Sequence, residues 1–155
     1  MSPQLPLRGT PSLPHSERRS RNSGDDDSPL VAIVDDEASV RRAIVRLLRA
    51  AHYRTAEFNS GCALLASLAE RFPACAVVDL QMPTMTGLEL QEELRQLDEP
   101  LPLVIITAHD EPGMRARCMA LGAKQYFRKP VDGKALLDSI RQVVSDSRPA
   151  STRPT

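Results

Sequence analysis

Short apolar runs alternate with amphipathic stripes five times between residues 30 and 144, and that alternation leaves few folds open. Residues 30–34 read Leu-Val-Ala-Ile-Val, 74–78 read Ala-Cys-Ala-Val-Val and 103–106 read Leu-Val-Ile-Ile. Each is strand length and continuously apolar, as a parallel strand covered on both faces should be. Two further strands are expected at 54–58 and 124–128, where Arg54, Glu57, Lys124 and Arg128 interrupt the pattern. Between the strands the period changes to that of a helix. Val40, Ile44, Leu47, Leu48 and Ala51 form the first stripe. The second helix is expected over 60–71 with Leu64, Leu65 and Leu68 inward. The third starts near Thr86, where Thr86-Gly-Leu-Glu89 fits a capping box. The fourth starts near Pro112 and stops at Gly122. The fifth turns Leu136, Leu137, Ile140, Val143 and Val144 to one side.

Strand composition also predicts strand order. The polar-interrupted second and fifth strands belong at the edges, and right-handed crossovers then favour 2-1-3-4-5. The expected architecture is α/β, a flavodoxin-like (βα)5 three-layer sandwich. In a parallel sheet the strand C-termini share one edge, where ligands bind. That edge gathers Asp35-Asp36, Asp79, Thr107 and Lys129-Pro130. Three carboxylates placed together repel one another and call for a cation; hard oxygen donors suit Mg²⁺. A carboxylate, a metal, a hydroxyl and a lysine make a site for receiving a phosphoryl group, a reaction that depends mostly on positioning and charge stabilisation.

The chain has 155 residues, enough for one domain. Residues 1–28 carry Pro3, Pro6, Pro11 and Pro14, then Arg18-Arg19-Ser20-Arg21 and Asp25-Asp26-Asp27, without apolar periodicity; they are expected to be a disordered N-terminal tail. Residues 147–155 are expected to be a disordered C-terminal tail, leaving 29–146 as the folded unit. Basic and acidic residues balance at 20 each, which gives no general pull toward nucleic acid or an anionic membrane. No apolar stretch approaches a membrane span, and the N-terminus lacks the apolar segment of a secretory signal. Cys62, Cys75 and Cys118 are odd in number and widely spaced, so they are expected as small core residues of a cytoplasmic protein. His15 and His52 are expected at the surface, and Met82, Met85, Met114 and Met119 in packing.

Strand–Asp35-Asp36, strand–Asp79-Leu-Gln-Met-Pro83-x-Met-x-Gly87, strand–Thr107-Ala, Gly122-Ala123 and Tyr126-x-x-Lys129-Pro130 resemble, in order and spacing, the receiver domain of two-component response regulators. Ser60-Gly61, Gly87-Leu-Glu-Leu-Gln91 and Ile106-Thr-Ala-His-Asp110 look like receivers usually joined to LuxR-type DNA-binding domains. The resemblance implies that Asp79 accepts a phosphoryl group from a histidine kinase or histidine phosphotransfer protein. It implies Mg²⁺ held directly by Asp36, Asp79 and the backbone carbonyl of Gln81, and through water by Asp35. Lys129 would pair with Asp79 or its phosphoryl oxygens, Thr107 would move toward that group, and Tyr126 would be the switch aromatic. Lys129-Pro130 is a candidate cis bond, since X-Pro is where cis bonds occur. With no output module in the sequence, the expectation is a single-domain regulator. It would signal through protein contacts of the fourth helix, fifth strand and fifth helix, or serve as a relay or phosphate sink, without direct DNA binding.

Taken singly, each of these residues has an ordinary explanation. Acidic residues favour a helix N-terminus, Thr107 could cap a turn, Lys129 could be solvated, and Tyr126 could be an amphipathic edge-strand residue. Only the joint pattern overturns these. A haloacid-dehalogenase-like phosphatase would place Asp-x-Asp at the end of the first strand, where this chain has Asp35-Asp36-Glu37. A phosphorylation-independent adaptor on the same fold would be expected to have lost acidic residues, and none is lost. The first strand–helix turn is acidic and lacks glycine, so it would repel a nucleotide phosphate. Gln125 and Val131 depart from the commoner acidic and aromatic residues of the family. Gln81 and His109 flank the site and are expected to tune phosphate lifetime.

Overall fold

The computed structural model describes residues 27–147. The expected tails, with His15, therefore fall outside the described residues except at their inner ends. Five strands, β1 (Leu30–Val34), β2 (Arg54–Phe58), β3 (Cys75–Asp79), β4 (Leu103–Thr107) and β5 (Gln125–Arg128), form one sheet in the order β2-β1-β3-β4-β5. All four pairings are parallel. Between them run α1 (Ala38–Ala50), α2 (Gly61–Ser67), α3 (Gly87–Leu94) and α4 (Met114–Ala120), and α5 (Gly133–Ser147) follows β5. This is the expected flavodoxin-like sandwich. α5 reaches one residue past the expected end of the folded unit.

The strand period of two sorts the core into two layers. Val31, Ile33, Cys75, Val77, Val104 and Ile106 face one way, against Ile44, Val45 and Leu48 of α1 and Leu136, Ile140 and Val143 of α5. Ala32, Val34, Ala76, Val78, Leu103 and Ile105 face the other way, against Leu64 of α2, Leu90 and Leu94 of α3 and Cys118 of α4. Every residue of β1, β3 and β4 is buried, whereas β2 and β5 are only partly covered, as their polar interruptions require. Fully burying a side chain such as Leu48 or Ile140 contributes roughly 1.5–3 kcal/mol of transfer free energy.

Several local expectations are corrected. In α1 the buried set is Ile44, Val45 and Leu48, the partly buried Val40 and Leu47 pack against the same core as expected, and Ala51 lies beyond the helix as its C-cap. His52 is exposed, as expected, but also closes α1: it sits at φ 70°, and the next amide, of Tyr53, donates back to the Leu48 carbonyl at 3.0 Å. α2 ends at Ser67 instead of near residue 71. There the Ser67 hydroxyl donates to the Leu64 carbonyl at 2.7 Å, and the amides of Glu70 and Arg71 both turn onto the Ser67 carbonyl. Leu65 and Leu68 still pack against the core. α4 begins at Met114, two residues after Pro112, because Gly113 adopts a left-handed φ of 82°. Cys75 and Cys118 are buried, but Cys62 lies on the outer side of α2 and is exposed. Met82, Met85 and Met114 pack inward, whereas Met119 is exposed.

Gly87 joins the fold to the site. The Thr86-Glu89 capping box starts α3 as expected, and the Gly87 amide folds back to the Leu80 carbonyl at 2.8 Å. A Cβ at Gly87 would stand 2.8 Å from Leu80 Cα and 2.9 Å from the Asp79 carbonyl oxygen, both backbone atoms that cannot swing aside. Gly87→Ala should therefore destabilise the fold by about 1–3 kcal/mol, the usual cost of overpacking. Urea unfolding checks this; wild-type stability would mean that the β3–α3 connection yields freely.

Candidate functional site

The C-terminal edge of the sheet brings Asp35, Asp36, Asp79, Thr107 and Lys129 together by strand register alone. Val34 pairs with Val78, Asp79 with Ile106 and Thr107 with Arg128, so the residues ending β1, β3, β4 and β5 lie side by side. Asp35 is fully buried, Asp79 is 3% exposed and Asp36 is open to solvent. One carboxylate oxygen from each of the three lies within 4.8 Å of the others.

Asp35 is held from every side. Its amide donates to the Phe58 carbonyl at 3.1 Å, and its carbonyl accepts from Arg41 Nη1 at 2.6 Å. Its Oδ1 accepts from the Glu37 amide at 2.9 Å, and its Oδ2 accepts from Lys129 Nζ at 2.9 Å. Asp79 Oδ1 faces Lys129 Nζ at 3.4 Å and the Gln81 amide at 3.4 Å. Lys129 thus bridges the two buried carboxylates and lies nearer to Asp35. Its backbone is fixed by a 2.7 Å bond from its amide to the Thr107 carbonyl, and the Lys129-Pro130 peptide is cis.

Charge in this site is only partly balanced. Burial and the neighbouring Asp35 carboxylate push the Asp79 carboxyl up to about 6, against the opposing pull of Lys129. Burial lowers Lys129, but its contacts with Asp35 and Asp79 outweigh this and leave it raised, so it is a firm cation. Clustered hard oxygen donors with one shared lysine suit a divalent cation such as Mg²⁺, and Asp36, on the solvent side, gives an ion a way in.

Thr107 is fully buried, and its hydroxyl is turned into its own loop. Oγ1 donates to the His109 carbonyl at 3.0 Å and accepts from the His109 amide at 3.2 Å. Tyr126 is 5% exposed; its hydroxyl donates to Asp110 Oδ1 at 3.1 Å, and the Arg115 guanidinium lies 5.9 Å from the ring centre. Sequence reasoning missed three supporting residues. Arg41 ties the Asp35 carbonyl to Glu57 (3.5 Å), Asp110 holds Tyr126, and Thr84 is a β-branched residue at φ 72° beneath the 2.8 Å turn from the Met85 amide to the Pro83 carbonyl. Such strain in a β-branched residue costs about 1–3 kcal/mol and clusters at functional loops. Nothing in the sequence marks Thr84, whereas Asp110 stands in the quoted run after Thr107. A cavity of about 620 Å³ lies at the other end of β4 and β5, lined in part by Gln91, Leu101, Lys124 and Val143, and shares none of these site residues.

Residues 31–141 match the response regulator receiver domain family. The chain belongs to this family. It is 32% identical over 121 residues to the response regulator protein TmoT of Ectopseudomonas mendocina, covering 78% of this chain and 55% of TmoT. The chain spans about half the length of the curated relatives it matches. Among solved structures, response regulator StyR is 36% identical with a TM-score of 0.67, covering 77% of this chain and 61% of StyR. The chemotaxis response regulator CheY4 of Vibrio cholerae is 26% identical with a TM-score of 0.68, covering 75% of this chain and 98% of CheY4. Among the described residues of this receiver, no helix is long and apolar enough to cross a membrane.

The raised Asp79 carboxyl has a consequence for stability. Its folded value, about 6, lies above the ordinary 3.8, so its contribution is greatest below pH 3.8 and is lost as pH rises through 6. In EDTA, Asp79→Asn should therefore stabilise the receiver at pH 7 by on the order of 2 kcal/mol and flatten the pH dependence between 4 and 7. Thermal melts across that range test this; an unstabilised variant would mean that Asp79 is not strained by its surroundings.

Proposed function

We propose that this receiver takes a phosphoryl group on Asp79 from the phosphohistidine of a histidine kinase or histidine phosphotransfer protein, with residues 29–146 as the accepting unit. The observation that carries this reading is the cluster of Asp35, Asp36 and Asp79 at the sheet edge, with one lysine bridging Asp35 and Asp79. An Asp79 carboxylate oxygen attacks phosphorus, the phosphorus–nitrogen bond breaks and the imidazole leaves. Lys129 stands 3.4 Å from the acceptor oxygen and balances charge on the incoming group. Asp36, Asp79 and the Gln81 carbonyl would hold Mg²⁺ directly, and Asp35 through water; when bound, the ion supplies charge neutralisation for the phosphoryl oxygens. Acetyl phosphate with Mg²⁺ should add one phosphoryl mass to the wild type and none to Asp79→Asn. Asp36→Ala should slow the addition by about two orders of magnitude or more, since loss of even an outer-shell partner of a metal typically costs about 10–100-fold. Intact-mass kinetics decide both, and undiminished labelling of Asp79→Asn would place the acceptor elsewhere.

The output in this reading is a protein contact through α4, β5 and α5 of a cytoplasmic regulator. Thr107 and Tyr126 link the site to that face: Thr107 ends β4 beside Asp79, and Tyr126 lies on the neighbouring β5. A phosphoryl group shifts this equilibrium only through contacts that differ between the two states. Thr107 offers such a contact, since its hydroxyl has another partner before transfer. Thr107→Ala should accept phosphate at a rate within a few-fold of wild type, yet lose most of the phosphorylation-dependent amide shifts in α4 and β5. Wild-type shifts in that variant would remove Thr107 from the response.

A further inference from the structure

Tyr126 is gripped by residues that the carboxylate site does not use. Its phenol donates to Asp110 Oδ1 at 3.1 Å, and its carbonyl accepts from Arg115 Nη1 at 3.4 Å while the Arg115 guanidinium covers the ring at 5.9 Å. The two grips are unequal. The Arg115 bond is long, and its partner is a backbone atom that stays in place whichever way the ring points. Among the described residues the Asp110 carboxylate is the hydrogen-bond partner of the phenol, and Tyr126 as a whole is 5% exposed. A buried hydroxyl without a partner costs about as much as the desolvation it has undergone, so loss of Asp110 favours rotation of the ring into water.

Asp110 is also next in the chain to His109, and His109 holds Thr107. The Thr107 hydroxyl donates to the His109 carbonyl (3.0 Å) and accepts from the His109 amide (3.2 Å). A new acceptor for that hydroxyl proton takes it from the His109 carbonyl and so removes one of the two bonds that fix the turn leading into Asp110.

We propose that Asp110 is a positioning residue that keeps Tyr126 buried and couples it to the Thr107 hydroxyl, so that a change of partner at Thr107 is felt at β5. The coupling half rests on the proposed phosphorylation of Asp79; the holding half does not. Burial and the Asp110 carboxylate also raise the Tyr126 phenol, as a held and desolvated hydroxyl should be.

The chain has two tyrosines and no tryptophan, so Tyr53→Phe leaves Tyr126 as its only strong fluorophore. In that background, acrylamide quenching reports exposure of the Tyr126 ring. Without phosphate, Asp110→Ala should raise the exposed population about ten-fold, whereas Asp110→Asn, which keeps an acceptor oxygen, should stay near the parent. With acetyl phosphate and Mg²⁺, the parent should change its quenching. Asp110→Ala should add the same phosphoryl mass with little further change. An Asp110→Ala ring as protected as the parent's, in a variant that melts cooperatively, would overturn the holding role. An Asp110→Ala response to phosphorylation of full parental size would overturn the coupling. If the parent takes no phosphoryl group, the reading of Asp79 fails and with it the coupling, while the unphosphorylated comparison still decides the holding role.

Discussion

One lysine shared between two buried carboxylates is the constraint on which the rest of the site depends. Lys129 lies 2.9 Å from Asp35 and 3.4 Å from Asp79, and neither carboxylate has much access to water. Removing one partner from such a group leaves an uncompensated buried charge, a change that typically costs 3–5 kcal/mol. A single lysine does not neutralise three carboxylates, so the site retains a demand for positive charge. That demand makes it receptive to a divalent cation and inhospitable to a phosphoryl group without one. The geometry is therefore a compromise: the lysine makes burial tolerable, and the residual charge gives the site its chemistry.

The fold delivers these groups with little loop machinery. Asp35 directly follows β1, Asp79 and Thr107 are the last residues of β3 and β4, and Lys129 directly follows β5. The parallel sheet turns strand order into spatial neighbourhood, and the most heavily buried strands hold the two buried aspartates at fixed spacing. The β3–α3 connection closes tightly behind Asp79 through Gly87 and the strained Thr84 turn. Rigidity on that side contrasts with the β4–α4 side. There Gly113 sits in the left-handed region and α4 has only seven residues, an element with less to hold it in place.

Most of this was legible in the sequence, because it rests on patterns that sequence carries directly. Continuous against interrupted apolar runs identified central and edge strands, and the polar residue after each run identified the site edge. What escaped notice depends on side-chain and backbone choices with no periodic signature. Ser67 ends α2 by donating to a carbonyl of its own helix, Gly113 delays α4 past Pro112, and His52 takes a left-handed φ that glycine more often supplies. Cys62 shows the limit of composition arguments: cysteine is usually buried, but its position on α2 sets it opposite Leu64 and thus in solvent. At the site, the residue types were readable but their partners were not. The sequence suggests Lys129 beside Asp79, whereas the fold brings it nearer to Asp35.

That last difference bears on how a site of this kind can act as a switch. The shorter ion pair of Lys129 is with Asp35, not Asp79, and the Thr107 hydroxyl is engaged with the His109 backbone. Both groups are thus committed to partners they must give up or share if they are to meet new charge at Asp79. Exchange of partners makes two discrete arrangements, whereas groups already aimed at Asp79 would only tighten. In the proposed coupling, the Thr107 side of this exchange would run along neighbouring residues, from Thr107 through His109 to Asp110, before crossing to β5 at Tyr126. A path through bonded neighbours needs no continuous chain of packed side chains through the core, so the apolar layers can remain unchanged while the β4–α4 side rearranges.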